Sequence, residues 1–420
     1  MDIQAEELNQ AIERNSAIYG LLSERGRAIF FPKKGILGQT AEAKGKAINA
    51  TIGAAIEDDG SPMRLQSIAK NILLDPKEVF PYAPSPGKPE LREQWLELIK
   101  KKNPSLTGKT SLPIVTNALT HGLSMLGYLF VDKGDKIISP DKFWGNYKLI
   151  FNHAYGSEID TFNTFKEGSF DIESLKEKLQ GEGKKILLLN FPNNPTGYTP
   201  TDQEVDEIVS VIKQSAENKP ILVICDDAYF GLVYQDGIYK ESIFSKLADL
   251  HENVLAVKVD GATKEDYVWG FRIGFITYAV KGMTDEVCKA LEAKTGGAVR
   301  GNISNAPHIS QSLILNSFKS ETYDAEKKEK YELLKSRFEK VKEVLQDDKY
   351  KKHFEALPFN SGYFMCVQLN KDAEEVRQEL LEKYDTGVIA MGNLLRIAFS
   401  GVAEKDIKQL FENIYEACGG

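Results

Sequence analysis

The 420-residue sequence predicts an α/β fold in two units: a large one built on a mostly parallel central sheet flanked by helices, and a smaller α+β one. Three observations predict it. Between about residues 63 and 320, short apolar runs alternate with longer amphipathic stretches, and the runs are apolar at successive positions, as strands covered on both faces must be. From residue 321 the texture changes to a long charged helical stretch. The length also exceeds what one hydrophobic core ordinarily supports. The expected organisation is residues 1–62 as an N-terminal segment and part of the small domain, residues 63–320 as the large domain, and residues 321–420 as the C-terminal small domain.

Taken in order, SLPIVTN (111–117), DKIISP (135–140), KKILLLNF (184–191), PILVICDDAY (220–229), NVLAVKVDG (253–261) and RIGFITYAV (272–280) read as strands. Their β-branched and leucine side chains suit a pleated, covered surface. Between them, HGLSMLGYLFV (121–131), DIESLKEKLQ (171–180) and TDQEVDEIVSVIKQSAEN (201–218) repeat apolar residues at helical spacing. The last part begins with a helical stretch (323–348), continues through FNSGYFMCVQL (359–369), the helix-like DAEEVRQELLEKY (372–384) and LLRIAFSGV (394–402), and ends in a helix. Alternating charge signs on KEKLQGEGKK and on residues 324–344 predict solvated helix faces. No internal repeat or low-complexity segment interrupts the pattern.

Charge and composition narrow the function. With 61 acidic against 53 basic residues the formal net charge is -8, which argues against nucleic acid or an anionic membrane as the main partner, because both need a basic face. The start of the chain is charged, without the apolar core of a signal peptide, and no apolar run reaches membrane-spanning length. Cys225, Cys288, Cys366 and Cys418 lie far apart with no CxxC pair, so neither a disulfide framework nor a metal cage is expected. A cytoplasmic, soluble enzyme is the expectation.

In parallel sheets ligands gather outside the carboxyl ends of the strands, so the polar residues just past each strand carry the functional signal. After ILLLNF comes PNNPTGY, with Asn194; after ILVIC come Asp226, Asp227 and Tyr229. After VLAVKVDGA come Thr263 and Lys264, with Arg272 eight residues on. After DKIISP comes DKFWGNY, with Trp144, and after LPIVT comes NALTHGL, where Ala118 and Leu119 open a helix whose backbone N–H groups suit an anion. Taken singly, each is an ordinary turn, cap or packing residue. Together they meet one chemical need. A pyridoxal phosphate enzyme requires a lysine for a Schiff base, an aspartate against the pyridine nitrogen, and donors to the phenolic oxygen. It also needs a flat group on the ring face, and cations or helix starts for the phosphate.

On these residues the chain resembles the class I, fold-type I, pyridoxal phosphate-dependent aminotransferases, closest to the aspartate and aromatic branch, from about residue 48 to residue 401. NNPTG, DDAYFG and TKEDYVWGFRIG are similar to family elements in family order. The resemblance implies Lys264 as the Schiff-base lysine, Asp226 at the pyridine nitrogen, Asn194 and Tyr229 at the phenolic oxygen, and Arg272 as a phosphate clamp. FWGNY implies ring stacking by Trp144, and LRIAFSGV implies that Arg396 holds the substrate α-carboxylate, a task for a planar fork. FPYAPSPG implies a Tyr82 that reaches the phosphate of a neighbouring subunit, hence a homodimer. VRGNISNAP resembles the segment whose arginine, here Arg300, crosses the dimer to a distal carboxylate, and reads equally well as a surface loop. Gly53, after Ile52, resembles the lid that closes over substrate.

Three departures from the family pattern set further expectations. Gly261 stands three residues before Lys264, where the family commonly has serine, and NALTHG lacks the usual Gly-Ser or Gly-Thr pair. Phosphate binding is therefore expected to lean on Arg272, Thr263 and Thr120. Tyr147 follows Trp-Gly-Asn where the aspartate branch usually has histidine behind the counterpart of Asp226. The implied activity is ping-pong transfer of an amino group from an L-amino acid, of aspartate/glutamate or aromatic type, to a 2-oxo acid such as 2-oxoglutarate. Flanking cations are expected to hold down the pKa of the Lys264 amine. A carbon–sulfur lyase or a decarboxylase on the same fold, or a non-catalytic ligand sensor, are the alternatives.

Overall fold

A computed structural model of the chain describes residues 2–14, 16–32 and 35–420. The large sheet has seven strands: β1 (Ile114–Thr116), β2 (Lys136–Pro140), β3 (Glu158–Phe162), β4 (Lys185–Asn190), β5 (Ile221–Asp226), β6 (Val254–Asp260) and β7 (Gly274–Ala279). Their spatial order is β1-β7-β6-β5-β4-β2-β3. Neighbours pair parallel except at β7, which runs antiparallel to both β1 and β6. β4 and β5 are buried along almost their whole length, as continuous apolar runs in a doubly covered sheet should be.

The central strands thus fall where the sequence places them, whereas β3 does not stand out there. EIDTF is mostly half-buried, and β3 lies at the sheet's edge, so it lacks the continuous apolar run that marks the inner strands.

Helices cover both faces. α1 (Pro89–Lys102) sets Trp95 against Phe275 of β7, stacked at 4.1 Å, and α2 (Ala118–Phe130) leads out of β1. The short helix α3 (Ala262–Glu265) follows β6 after a single glycine. The helix Asp202–Ala216 begins with a capping box between Thr201 and Glu204, which satisfies donors that a helix start otherwise leaves open.

The smaller sheet is antiparallel, with Phe364–Leu369 and Leu394–Ala398 at its centre. The N-terminal segment joins it: Ile48–Asn49 pairs with Thr386–Gly387, and the Gln39 side chain exchanges hydrogen bonds of 2.8 and 3.1 Å with the backbone of Ala390. α4 (Tyr323–Val344) spans both regions, donating the Tyr331 hydroxyl to Val233 O at 2.6 Å and Arg337 Nη1 to Ser400 O at 2.7 Å. The exposed face expected of this helix is present, with Asp324, Lys328, Glu332 and Glu339 exposed, but its inner face carries charges as well. Arg337 is fully buried and paired with Asp58, and Lys327 pairs with Glu265 and Asp266.

Candidate active site

A cavity of about 440 Å³ opens where the carboxyl ends of β4, β5 and β6 face the start of α2, the N-terminal segment and the small sheet. Lys264, Asp226, Tyr229, Asn194, Trp144 and Arg396 line it. So do Thr263, Arg272, Gly53 and the first residues of α2, Ala118, Leu119 and Thr120. Tyr82 and Arg300 do not. Tyr82 is 89% exposed, and Arg300 is exposed near the end of the helix Asp285–Ile303.

Asp226 ends β5 and is buried. Its Oδ2 accepts the Tyr147 hydroxyl at 2.5 Å and its Oδ1 accepts the Ala228 N–H at 3.2 Å. Burial raises its carboxyl above the usual range, while the Tyr147 hydrogen bond and the Lys264 charge oppose that rise. Tyr147 therefore occupies the station behind Asp226. Asn190, the last residue of β4, donates Nδ2 to Asp226 O at 2.7 Å and accepts the Asn194 N–H on Oδ1 at 2.8 Å, so one side chain ties two strand exits together.

Lys264 rides on α3 with Nζ 4.9 Å from the Tyr229 ring centroid. Burial pushes its amine down to about 8; Asp226 opposes this and Arg272 adds to it. Desolvation, rather than flanking cations, is thus the main cause. Tyr229 is buried as well, and burial lifts its phenol well above the ordinary value, against the pull of Arg396 and an Asn194 hydrogen bond.

Arg396 projects from the small sheet into the same cavity. Its Nη1 donates to Asn194 Oδ1 at 3.3 Å, its Nη2 donates to Thr51 O at 3.0 Å, and its Nε has no hydrogen-bond partner. The guanidinium lies 4.4 Å from the Phe364 ring centroid. A buried cation held only by neutral oxygens, with a donor to spare, is suited to a carboxylate ligand.

Backbone strain marks the opposite wall. Ala118 (φ 64°) and Arg272 (φ 56°) both sit in the left-handed region, where non-glycine residues are uncommon. Ala118 there opens α2, so the first N–H groups of a long helix face the cavity. Gly261 also has a steric explanation. A Cβ on it would fall 2.5 Å from Ile273 O and 2.8 Å from Gly274 Cα, so the chain entering β7 runs too close for a serine. Thr263 donates its hydroxyl to Ile273 O at 3.3 Å. Gly197, in the NNPTG turn, adopts φ 72°, and a Cβ there would fall 1.9 Å from Phe364 O. This turn is where the large region grips the small sheet, since Gly197 O accepts N–H groups from Asn360 and Ser361, each at 2.9 Å.

The chain matches the sequence profile of class I and II aminotransferases over residues 46–414. It belongs to that family. An aspartate aminotransferase of Bacillus sp. (strain YM-2) is 26% identical over 68% of this chain and 72% of its own length. A mitochondrial aspartate aminotransferase of Schizosaccharomyces pombe is 25% identical over 88% and 84%. A solved aminotransferase from Anaerococcus prevotii superposes with a TM-score of 0.83 at 25% identity, covering 95% of this chain and 100% of that one.

The protein is thus a fold-type I enzyme, a transaminase that depends on pyridoxal 5'-phosphate. The donor set fits that cofactor: an amine whose pKa burial lowers to about 8, a buried carboxylate with its own donors, an indole, a guanidinium and a helix start share one cavity. Sequence reasoning passed over Asn190, Thr51 and Phe364. Asn190 carried a signal, being a polar residue at the end of an otherwise apolar strand. Thr51 contributes through its backbone and Phe364 through its ring, and neither leaves a mark in a linear motif.

Proposed function

We propose that this aminotransferase moves an amino group from an L-amino acid of aspartate/glutamate or aromatic type to a 2-oxo acid such as 2-oxoglutarate, in ping-pong order. The observation that carries the reading is a single cavity holding both the Lys264 amine, depressed to about 8, and the desolvated, carboxylate-free Arg396 fork. Arg396 takes the substrate α-carboxylate in a bidentate grip and so turns the α-carbon toward Lys264. When bound, pyridoxal 5'-phosphate supplies an electron sink for the charge left at that carbon.

The residues divide the remaining work. Lys264 holds the cofactor and, when free and neutral, takes the α-proton on Nζ and later redelivers it. Asp226, fixed by Tyr147, would hold the pyridine nitrogen; Asn194 and Tyr229 would donate to the phenolic oxygen; Trp144 would pack on the ring. Arg272, Thr263 and the Ala118 and Leu119 N–H groups would hold the phosphate, with Thr120 beside them. Gly53 belongs to a flap over the substrate.

Tyr82 and Arg300, both outside their own chain's cavity, act across a homodimer: Tyr82 on the phosphate, Arg300 on a distal carboxylate. Within one chain the cavity mouth is lined by Ile36, Leu37 and Ile52, which suits an aromatic or aliphatic side chain and leaves dicarboxylates dependent on Arg300. The cytoplasm is the proposed location; among the described residues no helix is long and apolar enough to cross a membrane.

The test is a panel of amino donors with 2-oxoglutarate, for the parent and for Arg300→Ala. The substitution should lower kcat/KM for aspartate and glutamate by about a hundredfold, as expected for losing a buried charged contact, and leave phenylalanine and tyrosine nearly unchanged. Equal effects on both classes would remove Arg300 from the site. Oxo-acid formation that continues without an acceptor would point to a lyase instead.

A further inference from the structure

Behind the cavity lies a buried lysine with no part in the chemistry above. Lys258, in β6, is fully shielded from solvent, and its Nζ pairs with Asp227 Oδ2 and, at 3.4 Å, with Asp260 Oδ2. It also lies 4.1 Å from the Phe230 ring centroid. Each carboxylate has one further anchor. Asp227 Oδ2 accepts the Ser242 hydroxyl at 2.6 Å, and Asp260 Oδ1 accepts the Trp95 indole N–H at 3.1 Å.

The placement of these acids is the informative point. Asp227 follows Asp226 directly, and Asp260 closes β6 just before the Gly261 turn that delivers Lys264. The two strand exits that carry the reacting groups are therefore joined, one step below the cavity, through a single ammonium. A buried ion cluster contributes little net stability over apolar packing of the same volume, but it is directional, because each charge must stay within reach of its partner.

We propose that Lys258 is a positioning residue for the transamination: by holding Asp227 and Asp260 together it fixes Asp226 relative to Lys264 and balances the negative charge behind them. The proposal rests on the roles assigned above to Asp226 and Lys264. The charged groups around Lys258 are Asp227 from the β5 exit, Asp260 on its own strand and Glu265 on α3, with Lys102 of α1 acting on Asp260. One ammonium thus faces two carboxylates at contact distance, and removing either sign changes the field at the neighbouring exits in opposite directions.

That opposition gives the test. In the holoenzyme, the pH midpoint of the visible absorbance of the lysine-linked cofactor is measured for the parent, Lys258→Met and Asp260→Asn. Lys258→Met should raise the midpoint and Asp260→Asn should lower it, each by about half a pH unit or more. In both variants kcat should fall about tenfold while KM for the amino donor moves less than about threefold, as for a loss of alignment. A purely structural defect would move both midpoints the same way or neither, and either result overturns the proposal. Should Lys258→Met fail to retain cofactor, Lys258→Arg, which keeps the charge, takes its place: its midpoint should stay at the parent's while that of Asp260→Asn falls, and a shift shared by both variants, or no shift in Asp260→Asn, overturns the proposal. Lys264→Ala tests the underlying reading separately, since turnover surviving there would overturn that reading whatever the Lys258 variants do.

Discussion

The two sides of α3 treat charge in opposite ways. On the cavity side, Lys264 has no carboxylate within ion-pair distance among the described residues, and Arg396 is held only by neutral oxygens. On the far side, Glu265 and Asp266, the next two residues, are closed into a network. Lys102 and Lys327 both pair with Glu265, Lys327 also reaches Asp266 at 2.9 Å, and the Tyr323 hydroxyl donates to Asp266 at 2.7 Å. Both sides are desolvated, so the difference is one of pairing and not of burial. Paired charges hold the lysine-bearing turn in place; charges left with spare capacity on the other side are available to ligands.

Substitutions on the two sides should therefore separate rate from stability. The largest effect belongs to Lys264→Ala, which should lower turnover by about four orders of magnitude, the upper range for a general base, with the melting temperature of the cofactor-free protein no lower than the parent's. Oxo-acid formation at the parent rate would end the assignment. On the far side, Lys327→Met leaves Asp266 buried without its cation. It should cost about 3 kcal/mol in denaturant unfolding while kcat stays within about threefold, and a large loss of rate at unchanged stability would erase the distinction.

Arg396→Lys keeps the charge but not the planar fork. KM for the amino donor should rise about thirtyfold, the equivalent of about 2 kcal/mol, with smaller change in kcat. The smallest effect sharpens the electrostatic side. The folded-state pKa of Lys264 lies below its ordinary 10.5, near 8, so between those values the unfolded chain binds more protons than the folded one. Stability of the cofactor-free protein should therefore rise with pH across that window. Lys264→Met should remove a slope of at most about 1.4 kcal/mol per pH unit, and identical pH profiles for the two proteins would show that the amine is not desolvated.

Much of this was legible in the linear sequence because it depends on local chemistry. β4, β5 and β6 announce themselves as apolar runs, and Asn194, Asp226 and Lys264 follow them as polar residues that a buried strand has no use for. Tyr147 was visible as a replacement in the DKFWGNY stretch, but its hydrogen bond to Asp226 joins residues 79 positions apart, and spacing alone does not announce such a bond. The charged helix Tyr323–Val344 has the solvated face its alternating signs predict, but those signs do not reveal that its inner face is paired to buried acids such as Glu265 and Asp266.

By itself, then, the sequence determined the α/β order of elements, the family and most of the polar side chains that meet in the cavity, since periodicity and strand-exit chemistry are properties of neighbouring residues. The tertiary structure alone decided how those side chains are tuned. Burial brings the Lys264 amine to about 8, the approach of β7 excludes a serine at Gly261, and Lys258 finds Asp227 only when β5 and β6 lie side by side. Desolvation, steric clearance and ion pairing all depend on which distant segments share a volume, and that is settled only by the folded chain.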